Sequence, residues 1–236
     1  MDETSGPKVV IYGDGTPAPQ PVLLNEEEVR VLGCLVEKQI TTPDNYPLTL
    51  NALLNACNQT SSRDPVVSYD DSTVTRALDG LRDQKLASIS SGAESRAAKF
   101  RHKLNDRFEL SAADTAILCL LMLRGPQTAG EIRTRSARLH EFASVADVET
   151  TLEALSARAS EPLISRLPRQ PGFKESRFAH LLSGTPATSP AESTVPAAGP
   201  QISPRSSTDL EQEVVALREE LAELRQQFAE FKKQFE

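Results

Sequence analysis

The chain has 236 residues, with 26 Lys+Arg against 33 Asp+Glu and a net charge of −7. That length suits one or two small domains plus additional segments, and the absence of any apolar run of about 18 residues argues against a membrane-spanning helix. The start Met1-Asp2-Glu3-Thr4 lacks the basic and apolar regions of a signal peptide, three scattered cysteines make no disulfide framework, and the acidic balance disfavours a generic nucleic-acid coat, so a cytoplasmic protein that leaves the membrane alone is expected.

Residues 1–22 carry Pro17, Pro19 and Pro21 and read as an extended arm. A helix opens at Leu24-Asn25-Glu26-Glu27-Glu28, where Asn25 can cap and Glu28 can reach back to the cap amide. A similar box, Leu110-Ser111-Ala112-Ala113-Asp114, stands 86 residues on, and the same offset maps Val31-Leu32 onto Ile117-Leu118 and Leu35 onto Leu121. Val74, Leu78 and Leu81 map onto Val148, Leu152 and Leu155 at an offset of 74, so the first unit holds 12 more residues before its third helix. Strand-like residues follow each third helix: Leu86-Ala87-Ser88-Ile89 with Lys99–Leu104, and Leu163–Leu167 with Arg177–Leu181.

Each unit therefore reads helix, helix, helix, strand, turn, strand, the order of a winged helix. The expected fold is α+β, mainly α: two tandem winged-helix domains at 23–109 and 110–183. Residues 184–208 hold five prolines and almost no large apolar side chains, which is the composition of a disordered linker. In residues 209–236, Leu210, Val214, Leu217, Leu221, Leu224, Phe228, Phe231 and Phe235 are spaced alternately 4 and 3, the a/d seam of a coiled coil. That helix would join two chains into a homodimer or fold back on the globular part.

The stretches Val31–Lys38, Thr41–Leu48, Leu50–Leu53 and Ala56–Gln59 resemble the YceH family of uncharacterised bacterial proteins, as do Leu123–Glu131 and Leu167–Gly172. The resemblance covers residues 23–183. It implies tandem winged helices in a bacterial cytosolic protein, and it carries over no catalytic residue.

No enzyme is expected, and neither a cofactor nor a metal. His102, His140 and His180 lie on different elements, none at metal-ligand spacing. Cys34 and Cys57 fall in apolar helical patterns and read as small core residues, although sequence leaves open their convergence with a histidine. Gly13-Asp14-Gly15 is followed by no Gly-Lys-Ser/Thr, so it is no phosphate loop.

Nucleic-acid contact is argued from charge. The third helix of the first unit begins Asp70-Asp71 and continues with Arg76, Asp79 and Asp83; that of the second carries Asp147, Glu149 and Glu153. Such helices are poorly suited to a major groove lined with phosphates. The hairpins differ: Arg96, Lys99, Arg101 and Lys103 in the first and Arg169, Lys174 and Arg177 in the second are candidate contacts, joined by Arg133 and Arg135 near the second helix of the second unit. Alternation puts Lys99, Arg101 and Lys103 on one strand face, with Phe100, His102 and Leu104 on the other. Two functions follow. One is a dimeric, transcription-regulator-like protein that holds double-stranded DNA through basic wings. The other is a scaffold that binds protein partners through its acidic helices and its tail.

Overall fold

A computed structural model of the chain describes residues 22–90, 97–159, 161–169 and 175–185. All of them lie in the first of the chain's two units, Met1–Thr188. The arm up to residue 21, the linker beyond residue 185 and the heptad seam at Leu210–Phe235 lie outside the described residues, as do Arg96 and Lys174.

The first half runs α1 (Glu26–Thr41), a 3-10 turn (Pro43–Asn45), β1 (Leu48–Thr49), α2 (Leu50–Cys57), α3 (Asp71–Asp83), β2 (Ala87–Ser90) and β3 (Lys99–His102). A short α4 (Leu104–Phe108) follows, then α5 (Ala112–Arg124), α6 (Ala129–Ser136), α7 (Val145–Ser156), β4 (Ile164–Arg166) and β5 (Phe178–His180). About half of the described residues are helical and the sheets are small and antiparallel, so the protein is α+β.

Local chemistry starts the helices where the sequence placed them. Asn25 and Glu28 form a complete capping box on α1, and Ser111 with Asp114 forms its counterpart on α5. Thr128 with Glu131 and Ser144 with Asp147 do the same for α6 and α7. Each cap satisfies amides that the first turn leaves without partners, worth about 1 kcal/mol per cap. The paired positions Val74, Leu78, Leu81 and Val148, Leu152, Leu155 are all buried.

Two elements depart from the simple reading. The longer piece of the first half contains β1, which pairs with β3 through Leu48 opposite Phe100, so the sheet is three-stranded in the order β1-β3-β2. The second half has a remnant of the same arrangement, an isolated bridge between Gln127 and Phe178 beside the β4–β5 pair. Two-residue pairings leave almost no period-2 signal for sequence to show. The other departure is α4: β3 stops at His102 because Leu104 and Phe108 turn into the core, at 0% and 3% exposure.

One continuous apolar cluster runs through both halves. Helix α1 packs on α5, and Gly33 permits the close approach: a Cβ there would stand 2.9 Å from Leu123 Cδ2 and 3.2 Å from Met122 Cβ. The Cys119 thiol donates to the Gly33 carbonyl at 3.6 Å across this contact. No helix among the described residues is long and apolar enough to cross a membrane.

Candidate nucleic-acid interface

Strand β3 carries Lys99 and Arg101 two residues apart, so they share a sheet face, while Phe100 packs against the core and His102 is buried. Lys103 is not with them. It is the residue before α4, with φ −129° and ψ 24°, and its ammonium lies 3.6 Å from Asp106. Period-2 alternation therefore holds for two of the three expected cations and fails where the chain turns into α4.

His102 is fully employed on the inner side. Its backbone N–H donates to Tyr46 Oη at 2.7 Å, its Nδ1 accepts from Leu104 N at 3.3 Å, and its Nε2 meets Gln39 Oε1. Burial lowers its pKa to about 4, so the ring is neutral at physiological pH. Burial likewise pushes the Tyr46 hydroxyl up to about 12.

Lys99 also borders a cavity of about 480 Å³, shared with Lys38 at the end of α1, with Asp44 and Asn45 in the 3-10 turn, and with Thr49 and Ala52 at the start of α2. Behind it lies a buried charge cluster. Glu37 receives the Arg63 guanidinium as a fork, at 3.2 and 2.6 Å, with Arg63 fully covered and Glu37 at 5% side-chain exposure. Arg63 completes its donors on the carbonyls of Ala56 and Ser62 and on Gln59. Lys38 approaches Glu37 at 3.2 Å, and Arg138, from beyond α6, at 4.0 Å. Burial alone would raise the Glu37 carboxyl, but the Arg63 fork and charge outweigh it, with Lys38 assisting, and hold it below the usual carboxylate range. Three cations thus converge on one carboxylate, and positive charge is left over on the side where Lys38 and Arg138 emerge.

The second hairpin is built differently. Arg177 donates to the Pro126 carbonyl at 2.7 Å and pairs with Glu131 at 3.1 Å. Arg135 pairs with the same carboxylate at 3.5 Å and donates to Gln127 Oε1 at 2.8 Å, while Arg133 donates to the Ala143 carbonyl at 3.1 Å. These cations tie the start of α6 to β5 and the end of α6 to the following loop. Arg169 is exposed. Among the described residues no carboxylate lies within ion-pair distance of Lys99, Arg101 or Arg169.

The third helices turn their acids outward. Asp71, Asp79 and Asp83 of α3 and Asp147, Glu149 and Glu153 of α7 are exposed. Arg76 reaches Thr73 Oγ1 at 3.3 Å, and it is Arg82 that pairs with Asp79, at 2.9 Å. The three cysteines are free, buried thiols in the core. Among the described residues no group of three or more His, Cys, Asp and Glu side chains is placed to hold a metal ion.

Neither Lys38 nor Arg138 is among the cations that the sequence singles out as candidate contacts. Lys38 ends an apolar helical run and looks like any solvated helix terminus. Its relation to Lys99 depends on β3 returning beside α1 and α2, which no local pattern encodes.

An α+β protein with small antiparallel sheets and a cationic corner on its first half is the class these features define. The chain belongs to the family described as a protein of unknown function, DUF480, whose profile matches residues 24–173. It is 61% identical to a UPF0502 protein of Opitutus terrae over 218 residues, 92% of both chains. A UPF0502 protein of Geobacter sulfurreducens is 52% identical over 200 residues, 83% of this chain and 90% of the relative. One of Chromobacterium violaceum is 52% identical over 169 residues, 72% and 76% of the two chains. The YceH-like family read from the motifs is thus the family to which the chain belongs.

Proposed function

We propose that the protein is a non-catalytic, tandem winged-helix DNA-binding protein that grips the phosphate backbone with the root of its first hairpin. The order helix, strand, helix, helix, strand, strand in the first half, with its shortened echo in the second, supports the winged-helix reading. The observation that carries the DNA reading is the set Lys99, Arg101 and Arg138, with Lys99 half-buried at the cavity edge and Arg101 and Arg138 exposed. The first two have no carboxylate partner among the described residues, and the third is one of three cations on a single buried carboxylate. The acids on α3 and α7 oppose insertion of either helix into the major groove, so binding should be salt-sensitive and weakly sequence-selective. The non-catalytic reading rests on where the reactive groups sit: Cys34, Cys57 and Cys119 are sealed at 0% exposure, and His102 is committed to Tyr46, Gln39 and Leu104. The heptad seam of residues 209–236 would join two such chains and double the phosphate contacts.

Fluorescence anisotropy with a random duplex, from about 50 to 200 mM salt, tests this. The triple variant Lys99→Ala, Arg101→Ala, Arg138→Ala should weaken binding and reduce the slope of log K against log[salt] by about 2–3, since each lost phosphate contact removes about 0.9. No binding by the unsubstituted protein at the lowest salt would overturn the proposal. Light scattering on the same samples should give twice the chain mass, and a monomer would remove the dimer. The exposed acids of α3 and α7 favour a second reading, a scaffold for basic protein partners; the binding partner of that scaffold would be lost on Asp79→Asn and Asp83→Asn while the DNA titration stayed blank.

A further inference from the structure

A second cavity, of about 240 Å³, lies where α1 and the 64–69 loop face the end of α5 and the residues around β5. Its lining residues are distinct from those of the Lys38–Lys99 cavity. Val29, Val67, Leu121 and Met122 give it apolar walls, and Arg30 and His180 contribute polar groups.

Arg30 is only 4% exposed. Its Nη2 donates to the Pro65 carbonyl, but its buried Nη1 has no hydrogen-bond partner among the described residues. An unmatched buried guanidinium N–H is costly, and charged groups cost more than neutral ones. His180 Nδ1 is buried and unmatched in the same way. The repeat sharpens this second observation. The corresponding histidine of the first half, His102, satisfies its Nδ1 with the amide of Leu104, two residues on, whereas His180 Nδ1 has no such partner and its ring borders the cavity. Two unmatched polar atoms thus belong to residues around one apolar-walled space, and one of the two residues is a permanent cation.

We propose that this cavity is a binding site for a small monocarboxylate with an apolar body, the carboxylate taken by the Arg30 guanidinium and the His180 imidazole, whose covered Nη1 and Nδ1 turn into the cavity as the ligand enters, and the body by Val29, Val67, Leu121 and Met122. A guanidinium edge and an imidazole N–H that reach the same carboxylate can each take one of its oxygens. Burial keeps His180 neutral, with a pKa lowered to about 4, so one ring nitrogen carries a proton and can donate from Nδ1. The volume is below the roughly 300–1,000 Å³ of drug-sized ligand sites, which limits the ligand to about ten non-hydrogen atoms. Glu26 and Asp64, exposed members of the lining, disfavour a second negative charge on the ligand.

The probes are phenylacetate and 4-methylpentanoate, with phenylacetamide as the neutral isostere and L-phenylalanine as the arm that adds an ammonium. The reporter is the Met122 methyl carbon resonance of the full-length protein, unambiguous because the chain has only two methionines. Saturable shifts with phenylacetate or 4-methylpentanoate, at least tenfold weaker with phenylacetamide and at least tenfold weaker in Arg30→Gln, are the expected result. Comparable saturation by L-phenylalanine would identify amino acids as the natural source of the carboxylate, and its failure would identify simple acids. Val67→Trp, at a half-buried position in the lining, should abolish the shifts without touching either polar group. Should Arg30→Gln not fold, the acid-against-amide comparison on the unsubstituted protein and the Val67→Trp variant decide alone. No saturable shift by about 10 mM, weaker than any affinity a built site should show, would mean that water alone fills the cavity and would overturn the proposal. Equal binding of acid and amide would overturn it as well.

Discussion

Glu37 and Arg63 show what a buried charge demands of its surroundings. The guanidinium is covered completely, and its donors are met by the Glu37 fork, two carbonyls and Gln59. Breaking such a pair from one side strands a charge in the interior, so Glu37→Gln should cost about 3–5 kcal/mol in urea unfolding. A loss below about 1 kcal/mol would mean that Arg63 finds another partner or water. The two strand histidines set a pH dependence. Burial lowers both folded-state pKa values to about 4 from the ordinary 6.5. Below 6.5 the unfolded chain takes up protons that the folded chain refuses, so stability is full above that pH and falls progressively between about 6.5 and 4. For His102, 5% exposed, the loss by pH 4 amounts to about 3 kcal/mol at most, at 1.36 kcal/mol per unit. Urea midpoints at pH 7 and 4.5 should differ accordingly, and the difference should shrink in His102→Gln. An unchanged difference in that variant would assign the effect to other groups.

Among the elements, α1 and α3 meet through a glycine and a cap. Gly80 of α3 faces Glu28 of α1, and a Cβ at Gly80 would stand 1.9 Å from Glu28 Oε1. The other oxygen of that carboxylate, Oε2, accepts from the Asn25 amide at 2.9 Å and closes the capping box. Gly→Ala inside a helix ordinarily gains about 1 kcal/mol. Here the carboxylate has to leave, which forfeits about 1–2 kcal/mol of cap and buries a methyl against a polar group. Gly80→Ala should therefore be neutral to destabilising by about 1 kcal/mol, against the propensity scale. Glu28→Ala measured beside it should already lack the cap, so adding Gly80→Ala to that background should restore the usual gain. A gain in both backgrounds would show that the carboxylate moves aside freely.

For the molecule as a whole, the informative contact is between α1 and α5. Gly33 and Cys119 occupy equivalent positions of the 86-residue repeat, and they touch each other through the thiol and the Gly33 carbonyl. A residue meeting its own repeat equivalent is the arrangement found at a two-fold contact, here within one chain. Because the apolar cluster continues through this contact, the two halves should unfold together. Gly33→Leu would drive a side chain into Leu123 and Met122 and should cost about 3 kcal/mol, near the upper end for overpacking. Fluorescence and circular dichroism in urea should follow one transition in the parent protein. Two separated transitions there would mean that the halves are energetically independent.

Much of the secondary structure was legible in the chain alone, because caps and apolar spacing are local. Asn25 with Glu28, Ser111 with Asp114, and the matched triplets of α3 and α7 needed no tertiary information. The family was legible for the same reason, through runs such as Thr41–Leu48. The candidate site was legible only as far as Lys99 and Arg101. Lys103 was misplaced because α4 interrupts the alternation, and Arg135 and Arg177 serve Glu131 in a network no spacing rule foresees. The short β1, the meeting of Lys38, Arg63 and Arg138 on Glu37, and the unmatched Nδ1 of His180 were decided by the tertiary structure. Each depends on residues far apart in sequence being brought within a few ångströms, and hydrogen bonding and charge respond to that distance, not to position along the chain.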